Sequence, residues 1–422
     1  MPDAIVGISC GGTHTMIASR ECVWVWASYR DPRARLPLQS CAQVPQAIDA
    51  RRFPSVVAWL PPRAPRPLDL TDQPKRLGRG FFGGADVVQI SCGDAHSACV
   101  SSSGCLFTWG LTGRDHCNQY GSLSPTNLAH APEWVSGFAK VSAVSCGKGF
   151  TLALTQPGGR LWAWGEGDFG QLGLGDTEPR ERPSVVSAAV SSSQENCSVE
   201  FVGISCGSAH CLAITKCACV FSWGDGGAGR LGHGDTARKL APTKIEFFGV
   251  DQPVTAAAAG GMHSAVIASQ GSLYVFGAGG SGQLGLGDRT HRETPTLVAA
   301  GLFGHWLSPG DIVDTGGARL KEAACGVTHT AALTQAGRCY LWGAGVYLVP
   351  RLVPPDVIGG SRLSLVACGP RNAMLASRGG ALWEWRVPVS EATGCDQQEE
   401  EGQRARWSDP SVSRVWLTPG TD

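Results

Sequence analysis

Histidine and cysteine are the side chains in this sequence whose types and spacing could support chemistry. Five histidines each follow a glycine at an offset of three residues, and regularly placed imidazoles could act as general bases or bind metal ions. The five are His14, His96, His210, His263 and His329. Phe150 and Asn372 stand at the same offset in two further copies of the turn, so the position tolerates groups without imidazole chemistry. No Ser, His and Asp set and no nucleophile elbow accompanies the histidines, so the sequence predicts no catalytic residue.

The densest group of candidate metal ligands lies around the third of these histidines. It comprises His210, Cys211, Cys217 and Cys219, but no Cys-x-x-Cys pair accompanies it. Cys217 and Cys219 also fit the alternation of a strand. A metal site remains the alternative, but structural thiols are favoured and no metal is predicted.

Three glycine-rich segments match the Gly-x-Gly-x-x-Gly pattern of dinucleotide-binding proteins. They run from Gly165 to Gly170, from Gly224 to Gly229 and from Gly277 to Gly282. Dinucleotide binding requires such a segment to open a helix whose amino end holds the phosphates. Here each segment follows an aromatic-Gly strand end and continues into a Gln-Leu-Gly or Arg-Leu-Gly sequence. The glycines are therefore interpreted as loop residues, and no cofactor is predicted.

These residues belong to a unit that returns seven times along the chain. Each copy has a small residue, Cys or in one copy Ala, Gly, two variable residues, the position that is His in five copies, an apolar run and an aromatic strand end, as in SCGSAHCLAITKCACVFSWG from Ser205. Each unit contains four short runs with strand composition, separated by turn residues. One four-stranded sheet cannot bury both of its faces alone, and the simplest arrangement that buries the faces of seven such sheets is radial packing around a channel. The sequence thus predicts an all-β, seven-bladed β-propeller with four-stranded antiparallel blades, a single domain over 1–422. The predicted blades start near residues 4, 86, 140, 199, 253, 319 and 362.

The recurring residues then have structural roles within the predicted propeller. The repeat glycines allow a tight turn or a close approach of backbones. They include Gly93, Gly147, Gly207, Gly260 and Gly326. The aromatic strand ends fill the wedge between blades. They include Trp109, Trp164, Trp223 and Trp342. Each repeat histidine, including His96, His210, His263 and His329, is predicted to hydrogen-bond backbone within its own blade.

The seventeen cysteines indicate the redox state and the compartment. Four of them recur on the predicted inner strand of different blades, too far apart to pair with one another. These are Cys10, Cys92, Cys146 and Cys206. Reduced thiols are typical of proteins of the cytosol or nucleus. A cytoplasmic location is therefore expected, with assembly in the nucleus or an organelle as the open alternative.

Composition and charge restrict the class of partner. The 422 residues are 43% hydrophobic and 17% charged, and the formal net charge is zero, so no general attraction to nucleic acid or membrane is expected. The start MPDAIVG has no basic region and leads directly into a strand, which argues against a signal peptide. The stretch from Gln252 to Gly287 lacks charged side chains, but Gly and Ser interrupt it, and no membrane span is predicted.

The Cys-Gly-x-x-His turn, the Trp-Gly strand end and one loop make a family recognisable. That loop, Gly-Gln-Leu-Gly-x-Gly-Asp, is complete from Gly170 to Asp176 and from Gly282 to Asp288, while the copy from Gly229 to Asp235 has Arg and His replacements. The chain resembles the regulator of chromosome condensation repeat family of seven-bladed propellers. The first and last copies depart from the pattern, because Ala27 and Arg386 replace the Gly of the Trp-Gly pair.

The resemblance implies two classes of function. One is a non-catalytic, protein-binding scaffold or subunit of a larger assembly, which is favoured here. The other is guanine-nucleotide exchange on a small GTPase, which in the founding member uses one propeller face and an inserted β-hairpin wedge. The largest insertion in this chain is rich in proline and lacks the alternation of a hairpin, so no such wedge is identified.

Residues that differ between the repeats are where partner binding is expected. The two residues before each histidine form the tip of a turn and differ in every copy, as Asp94 and Lys148 illustrate. Solvent-facing variation without function is the alternative interpretation. Segment 28–82 is an insertion with ten basic and four acidic residues. Arg51, Arg52, Arg63 and Arg66 are predicted to contact a partner protein, RNA or another acidic surface, and a solvated linker is the alternative. An acidic loop at 391–409 precedes the predicted closing strand.

Overall fold

The protein is described here by a computed structural model. The described residues are 5–27, 75–110, 129–187, 199–249, 251–299, 302, 319–387 and 412–415. The acidic loop at 391–409 and most of the 28–82 insertion lie outside them.

Short β-strands account for nearly all regular structure in the described residues. Blades 1 to 4 contain β1 Ile5–Cys10, β2 His14–Ser19, β3 Cys22–Ala27, β4 Lys75–Gly78, β5 Val87–Cys92, β6 His96–Ser101, β7 Leu106–Gly110, β8 Ala129–Val135, β9 Lys140–Cys146, β10 Phe150–Gln156, β11 Arg160–Gly165, β12 Arg180–Val186, β13 Phe201–Cys206, β14 His210–Thr215, β15 Val220–Gly224 and β16 Lys239–Lys244. Blades 5 to 7 contain β17 Val254–Ala259, β18 His263–Ala268, β19 Leu273–Gly277, β20 Arg292–Leu297, β21 Leu320–Cys325, β22 His329–Thr334, β23 Cys339–Gly343, β24 Tyr347–Leu352, β25 Leu363–Cys368, β26 Asn372–Ser377, β27 Leu382–Arg386 and β28 Val412–Val415. Three 3-10 turns, at Arg79–Phe82, Gly227–Gly229 and Ser269–Gly271, complete the elements.

The strands form seven antiparallel sheets, and in each sheet the four strands pair in chain order. The first strands of neighbouring blades contact one another around the whole molecule, and β25 of blade 7 contacts β1 of blade 1, which closes the ring. In the described part of the chain the prediction of an all-β, seven-bladed propeller is confirmed. The strand register places the histidine at the start of the second strand opposite the last residue of the third, as His210 pairs with Gly224.

The hydrophobic core consists of apolar layers between neighbouring blades. The second strand of each blade is buried, apart from the half-buried last residue of β10, and successive side chains face opposite neighbours. In blade 2, Cys99 packs toward blade 1 while Ala98 and Val100 pack toward blade 3. Seven such clusters occupy the seven interfaces of the ring in the described residues. A blade is therefore stabilised by its neighbours rather than by a core of its own.

The aromatic strand ends fill these interfaces, as the sequence predicts. Trp164, Trp223 and Trp342 are almost completely buried, and Trp109 is 5% exposed. Each packs against the blade that precedes its own, and Trp223 lies in the cluster with Leu161 and Leu172 of blade 3. The indole N–H of Trp223 donates to the carbonyl of Gln171 at 2.9 Å, and that of Trp342 donates to Gln283 at 2.8 Å. One side chain thus contributes both apolar contact and a hydrogen bond across an interface.

We expect Trp223→Ala to lower the free energy of unfolding by about 3 to 5 kcal/mol, because the change leaves a cavity and removes the hydrogen bond. Trp134→Ala is the matched control, since this tryptophan is 55% exposed on the outer strand β8, and its loss should change stability by less than about 1 kcal/mol. Urea denaturation of both variants measures the difference. Equal losses of stability would contradict the assignment of Trp223 to an interface.

Candidate protein-binding face

One face of the ring carries the parts of the blades that vary between repeats. We call it the tip face, and it consists of the turns between first and second strands together with the loops that follow the third strands. The two parts lie side by side, because the N–H of Glu166 in a loop donates to the carbonyl of Gly149 in a turn at 2.9 Å. Asp94 and Lys148 are exposed there, and Met262 and Val327 are 44% and 39% exposed. The exposed tips of blades 2 and 3 are therefore charged, and those of blades 5 and 6 are apolar.

The repeat glycines hold the seven turns against one another. A Cβ atom on any of them would lie within 2.2 to 3.4 Å of the carbonyl oxygen of the matching glycine in the next blade. The seven are Gly11, Gly93, Gly147, Gly207, Gly260, Gly326 and Gly369. At Gly93 the same Cβ would also lie 2.3 Å from the ring of His96. The close packing of backbones around the axis therefore requires glycine at these positions, irrespective of the dihedral angles.

Backbone and serine hydrogen bonds reinforce this ring. The N–H of Gly12 donates to the carbonyl of Gly93 at 3.0 Å, and the N–H of Gly261 donates to that of Gly326 at 2.9 Å. Below the turns, blades 1 to 4 have a Ser before Cys-Gly. Its hydroxyl accepts a hydrogen bond from the backbone N–H at the Cys position of the next blade. These bonds of 2.9 to 3.0 Å run from Cys92 to Ser9, Cys146 to Ser91, Cys206 to Ser145 and Ala259 to Ser205. The serine of the Ser-Cys-Gly sequence thus links two neighbouring blades by a hydrogen bond.

The repeat histidines also connect neighbouring blades, and the expectation that each bonds backbone of its own blade is wrong. His263 Nε2 lies 2.8 Å from Thr330 Oγ1 of blade 6, and the Thr330 hydroxyl donates to the carbonyl of Gln283 at 2.7 Å. Since that hydroxyl is the donor to Gln283, it accepts from His263, which fixes the proton on Nε2. In the same way, His210 Nε2 donates to Ser264 Oγ, and the Ser264 hydroxyl donates to the carbonyl of Arg230.

The other three histidines follow the same route to the next blade. His14 Nε2 lies 2.6 Å from Ser97 Oγ, and His96 Nε2 lies 2.9 Å from Thr151 Oγ1. His329 donates instead to the backbone carbonyl of Asn372 at 3.1 Å, because blade 7 has Ala373 where the partner blades of the other four histidines have a hydroxyl. Comparison of positions within one repeat does not reveal this pattern, because the hydroxyl partner of the other four histidines stands one residue after the histidine position of the next repeat.

Where the histidine is replaced, the partner position has changed as well. Blade 3 has Phe150, and the matching residue of blade 4 is Cys211 rather than Ser or Thr. The Cys211 thiol donates directly to the carbonyl of Gln171 at 3.3 Å. The apolar phenyl ring therefore faces no unsatisfied hydroxyl, which is what the energetics of buried polar groups require.

Burial makes these imidazoles poor bases and these thiols poor nucleophiles near neutral pH. Desolvation lowers the pKa of His14, His96 and His329 to about 4 and that of His263 to about 3, and it holds the pKa of His210 well below its usual value. Desolvation also raises the pKa of Cys10, Cys146 and Cys325 to about 12, so these thiols are protonated and not nucleophilic near neutral pH. Of the candidate metal ligands, His210 is the first residue of β14, and Cys217 lies in the turn that follows the other end of this strand. In the described part of the chain no three His, Cys, Asp or Glu side chains could hold a metal ion together.

In the loops after the third strands, the polar side chain of the Gly-Gln-Leu-Gly motif points into the protein. Gln171 and Gln283 are buried, and the side-chain oxygen of each accepts the N–H two residues earlier at 2.8 Å. In blade 4, Arg230 takes this place and is also buried. Its guanidinium group forms an ion pair with Asp225 at 3.1 Å and donates to the carbonyls of Gly227 and Gly261. None of the three glycine-rich segments opens an α-helix, so the interpretation as loops is confirmed.

A depression of about 490 Å³ lies on the tip face over blades 3 to 6. Its lining includes Lys148 from the sequence prediction, whereas Asp94 lies against Gly12 near blade 1. Arg51, Arg52, Arg63 and Arg66 lie outside the described residues. Met262 and Val327, which stand at variable tips as Lys148 does, line the depression as well. The sequence prediction did not include the lining residues from the loops after the third strands, which are Glu166, Asp168, Phe169, Asp225 and Arg230.

Comparisons with known proteins agree with this architecture. Residues 1–349 match the sequence profile of the RCC1-like domain. The ultraviolet-B receptor UVR8 of Arabidopsis thaliana is 34% identical over 313 residues, which cover 71% of this chain and 64% of that protein. The E3 ubiquitin-protein ligase HERC2 of Homo sapiens is 29% identical over 334 residues, which cover 78% of this chain but 6% of that protein. The matched region thus spans less than two thirds of either relative.

Solved structures show the same fold at lower sequence identity. Human WBSCR16 superposes with a TM-score of 0.67 at 22% identity, covering 89% of this chain and 88% of that chain. Prp20p from Saccharomyces cerevisiae superposes with a TM-score of 0.62 at 20% identity, covering 86% of this chain and 80% of that chain. No helix in the described residues is long and apolar enough to cross a membrane.

The contact between His263 and Thr330 predicts coupling between two blades. His263→Ala should cost about 1 to 3 kcal/mol, and the double variant with Thr330→Val should cost about 1 kcal/mol less than the sum of the single changes. His263→Ala with Thr151→Val, which belongs to another interface, is the control and should be additive. Denaturant titration of all variants gives the coupling energies. Additivity of the His263 and Thr330 changes would show that the hydrogen bond does not form.

The lowered histidine pKa values predict a loss of stability in acid. The native state keeps these groups neutral while the unfolded chain, with a histidine pKa near 6.5, binds protons, so stability should fall as the pH drops from 6.5 toward 4. Desolvation raises the pKa of Glu322 to about 7, so protonation of this carboxyl group stabilises the native state as the pH falls and opposes the trend. The measurement should therefore be made in a protein that carries Glu322→Gln. The slope of unfolding free energy against pH should correspond to more than about two protons and should decrease in His263→Asn. A flat profile would contradict the burial of the histidines.

Proposed function

The chain belongs to the family of RCC1-like domains, and we propose that it is a non-catalytic protein-binding propeller that acts as a scaffold or subunit of a larger assembly. The proposal locates binding on the tip face. The observation that supports it most strongly is the depression of about 490 Å³, in which four blades present charged and apolar side chains on a ring of tightly connected turns. Variable side chains on a rigid framework are typical of recognition surfaces.

The buried chemistry of the ring supports binding rather than catalysis. Each repeat histidine uses Nε2 to connect two blades, and burial keeps its pKa far below neutrality, so it is a poor general base near pH 7. The thiols of the inner strands are held protonated in the same way. The groups that would be the first candidates for catalysis therefore have structural roles.

Two relatives indicate what kind of role a propeller of this type can have. The Prp20p structure was described together with the binding properties of that protein to Gsp1p and histones, and HERC2 is named an E3 ubiquitin-protein ligase. The sequence identity to Prp20p and the coverage of HERC2 are too low to assign either activity to this chain. Exchange of guanine nucleotide on a small GTPase is the alternative function that the family resemblance implies, and the experiment below separates it from a scaffold.

The test is quantitative affinity purification of the full chain from cells. The variant Asp94→Lys with Lys148→Glu changes two exposed tips without altering the net charge. The matched control, Glu181→Lys with Arg182→Glu, makes the same exchange on the exposed outer strand β12. We expect the tip variant to lose its main partners at least tenfold and the control to retain them, since charge reversal in a contact area removes complementarity.

Two results would contradict parts of this proposal. Equal partner recovery by the tip variant and the wild type would place binding away from the tip face. Accelerated nucleotide release from a recovered small GTPase, measured with purified proteins, would establish the exchange activity and exclude a purely non-catalytic role. Unchanged melting temperatures of both variants serve as the control for folding, because exposed charges contribute little to stability.

A further inference from the structure

A carboxyl group on the innermost strand of blade 6 contacts blade 7, and the equivalent side chain of blade 2 shows what this contact requires. We propose that a proton on Glu322 links blades 6 and 7, so that the attachment of blade 7 to the ring weakens as the pH rises through neutrality. This property goes beyond the proposed function, because it belongs to the ring itself and needs no partner.

Gln89 shows how a side chain at this position joins two blades. In blade 2 it follows the irregular pair near the start of β5 and stands three residues before Cys92. Its side-chain amide donates to the carbonyl of Val144 in blade 3 at 3.2 Å, and its side-chain oxygen accepts the N–H of the same residue at 3.0 Å. A donor and an acceptor on one side chain therefore satisfy both backbone groups of Val144.

Glu322 occupies the equivalent position in blade 6. It also follows the irregular pair of its strand and stands three residues before Cys325. Its carboxyl group accepts the N–H of Val366 in blade 7, which is the equivalent of Val144. Only a protonated carboxyl group also has a donor, so the pair of bonds that Gln89 makes requires a proton on Glu322. A carboxylate would instead direct negative charge toward the carbonyl oxygen of Val366.

The surroundings of Glu322 favour the protonated form. Desolvation raises the pKa of this half-buried carboxyl group to about 7, although the neighbouring Lys321 acts in the opposite direction. The ammonium group of Lys321 donates to the carbonyl of Ser364 in blade 7 at 2.7 Å. The carboxyl group therefore exchanges its proton with solvent near neutral pH.

The other titratable groups around this carboxyl group keep their charge state between pH 5 and pH 8. Strands β17, β18, β22 and β25 and the 3-10 turn at Ser269–Gly271 pack against β21, and the turn and β17 have no titratable side chain. The titratable groups on the other three strands, on β23 and on β21 itself are His263, His329, Cys325, Cys339, Tyr340 and Cys368. Desolvation lowers the pKa of both histidines to about 3 or 4 and raises the pKa of the thiols and of the phenol. All six are therefore uncharged across this range.

Two of the links that recur around the ring are replaced at blade 7. The serine that bonds to the next blade is replaced by Ala324 in blade 6 and by Ala367 in blade 7. Asn372 takes the place of the histidine, and its side-chain amide donates to Glu384 within blade 7 at 3.0 Å. The apolar cluster between blades 6 and 7 and the bond from His329 to the carbonyl of Asn372 remain. Loss of a further bond between these blades should therefore loosen blade 7 before the other blades.

Urea denaturation of the full chain at pH 5 and pH 8 tests the proton on Glu322. The pKa of this residue is near 4.5 in the unfolded chain and about 7 in the native state, so native stability is lost as the pH rises through this range. Glu322→Gln keeps a donor and an acceptor at every pH. The ratio of the unfolding constants of the wild type and this variant, in which the histidine contributions cancel, should rise roughly tenfold or more from pH 5 to pH 8. Glu293→Gln, exposed on β20, is the matched control, and its ratio should not change.

Gln89→Glu transfers the property to the contact between blades 2 and 3. In a protein that carries Glu322→Gln, this change should restore a rise of the unfolding constant from pH 5 to pH 8 by roughly threefold or more. A variant that had merely lost structure would be weakened equally at both pH values. An unchanged profile would contradict the requirement for a proton at this position.

Amide hydrogen exchange shows whether the proton acts on blade 7. After correction for the intrinsic pH dependence of exchange, β25 and β26 of the wild type should exchange roughly threefold or more faster at pH 8 than at pH 6. Strands β9 and β10 of blade 3, where Gln89 makes the equivalent contact, should show no such change. Glu322→Gln should remove the difference between the two blades.

Three results would overturn the inference. An equal ratio of unfolding constants at pH 5 and pH 8 would show that the native state does not hold a proton on Glu322. Lower stability of Glu322→Gln at pH 8 would show that the carboxylate is the stabilising form. Equal changes of exchange in blades 3 and 7 would show that the proton acts on the whole ring rather than on the attachment of blade 7.

Discussion

The close approach of seven backbone turns around one axis is the constraint on which the rest of the structure depends. At six of the seven repeat glycines a single methyl group would lie 2.2 to 2.7 Å from the carbonyl oxygen of the next blade, which is a collision. A side chain at any of these six positions would force neighbouring turns apart. Once the turns are this close, their N–H and carbonyl groups bond to one another, as between Gly261 and Gly326. The tip face is thus built on a ring of backbone contacts.

The same constraint explains why the repeat has its particular sequence. Serine before Cys-Gly reaches the N–H of the next blade, and histidine after the turn reaches the next hydroxyl. Departures occur in matched positions, since Phe150 is followed by Cys211 and His329 by a backbone acceptor. Nε2 is the imidazole atom that the repeat satisfies across the interface, since in the described residues the buried Nδ1 atoms of His96, His210, His263 and His329 have no hydrogen-bond partner. The repeat unit therefore encodes the interface between blades as much as the blade itself.

The fold could be predicted from the sequence because each blade carries its own copy of the signal. Recurring turns and aromatic strand ends are local features, and seven copies specify both the blade and the ring. The role of His263 could not be predicted in this way, because its partner Thr330 is 67 residues away and belongs to another repeat. The candidate site was only partly predicted for the same reason. Lys148 and Val327 stand at variable tips, whereas Phe169 and Asp225 come from loops that lie beside those tips only in the folded ring.

A recognition surface on this ring should be rigid, because every turn that carries a variable side chain is bonded to the turn beside it. Amide hydrogen exchange at Cys92, Cys146, Cys206 and Ala259, whose N–H groups donate across four different interfaces, tests this claim most directly. The account predicts that all four amides exchange with one common free energy, equal to that of global unfolding. Free energies that differ between blades and lie several kcal/mol below the global value would contradict it.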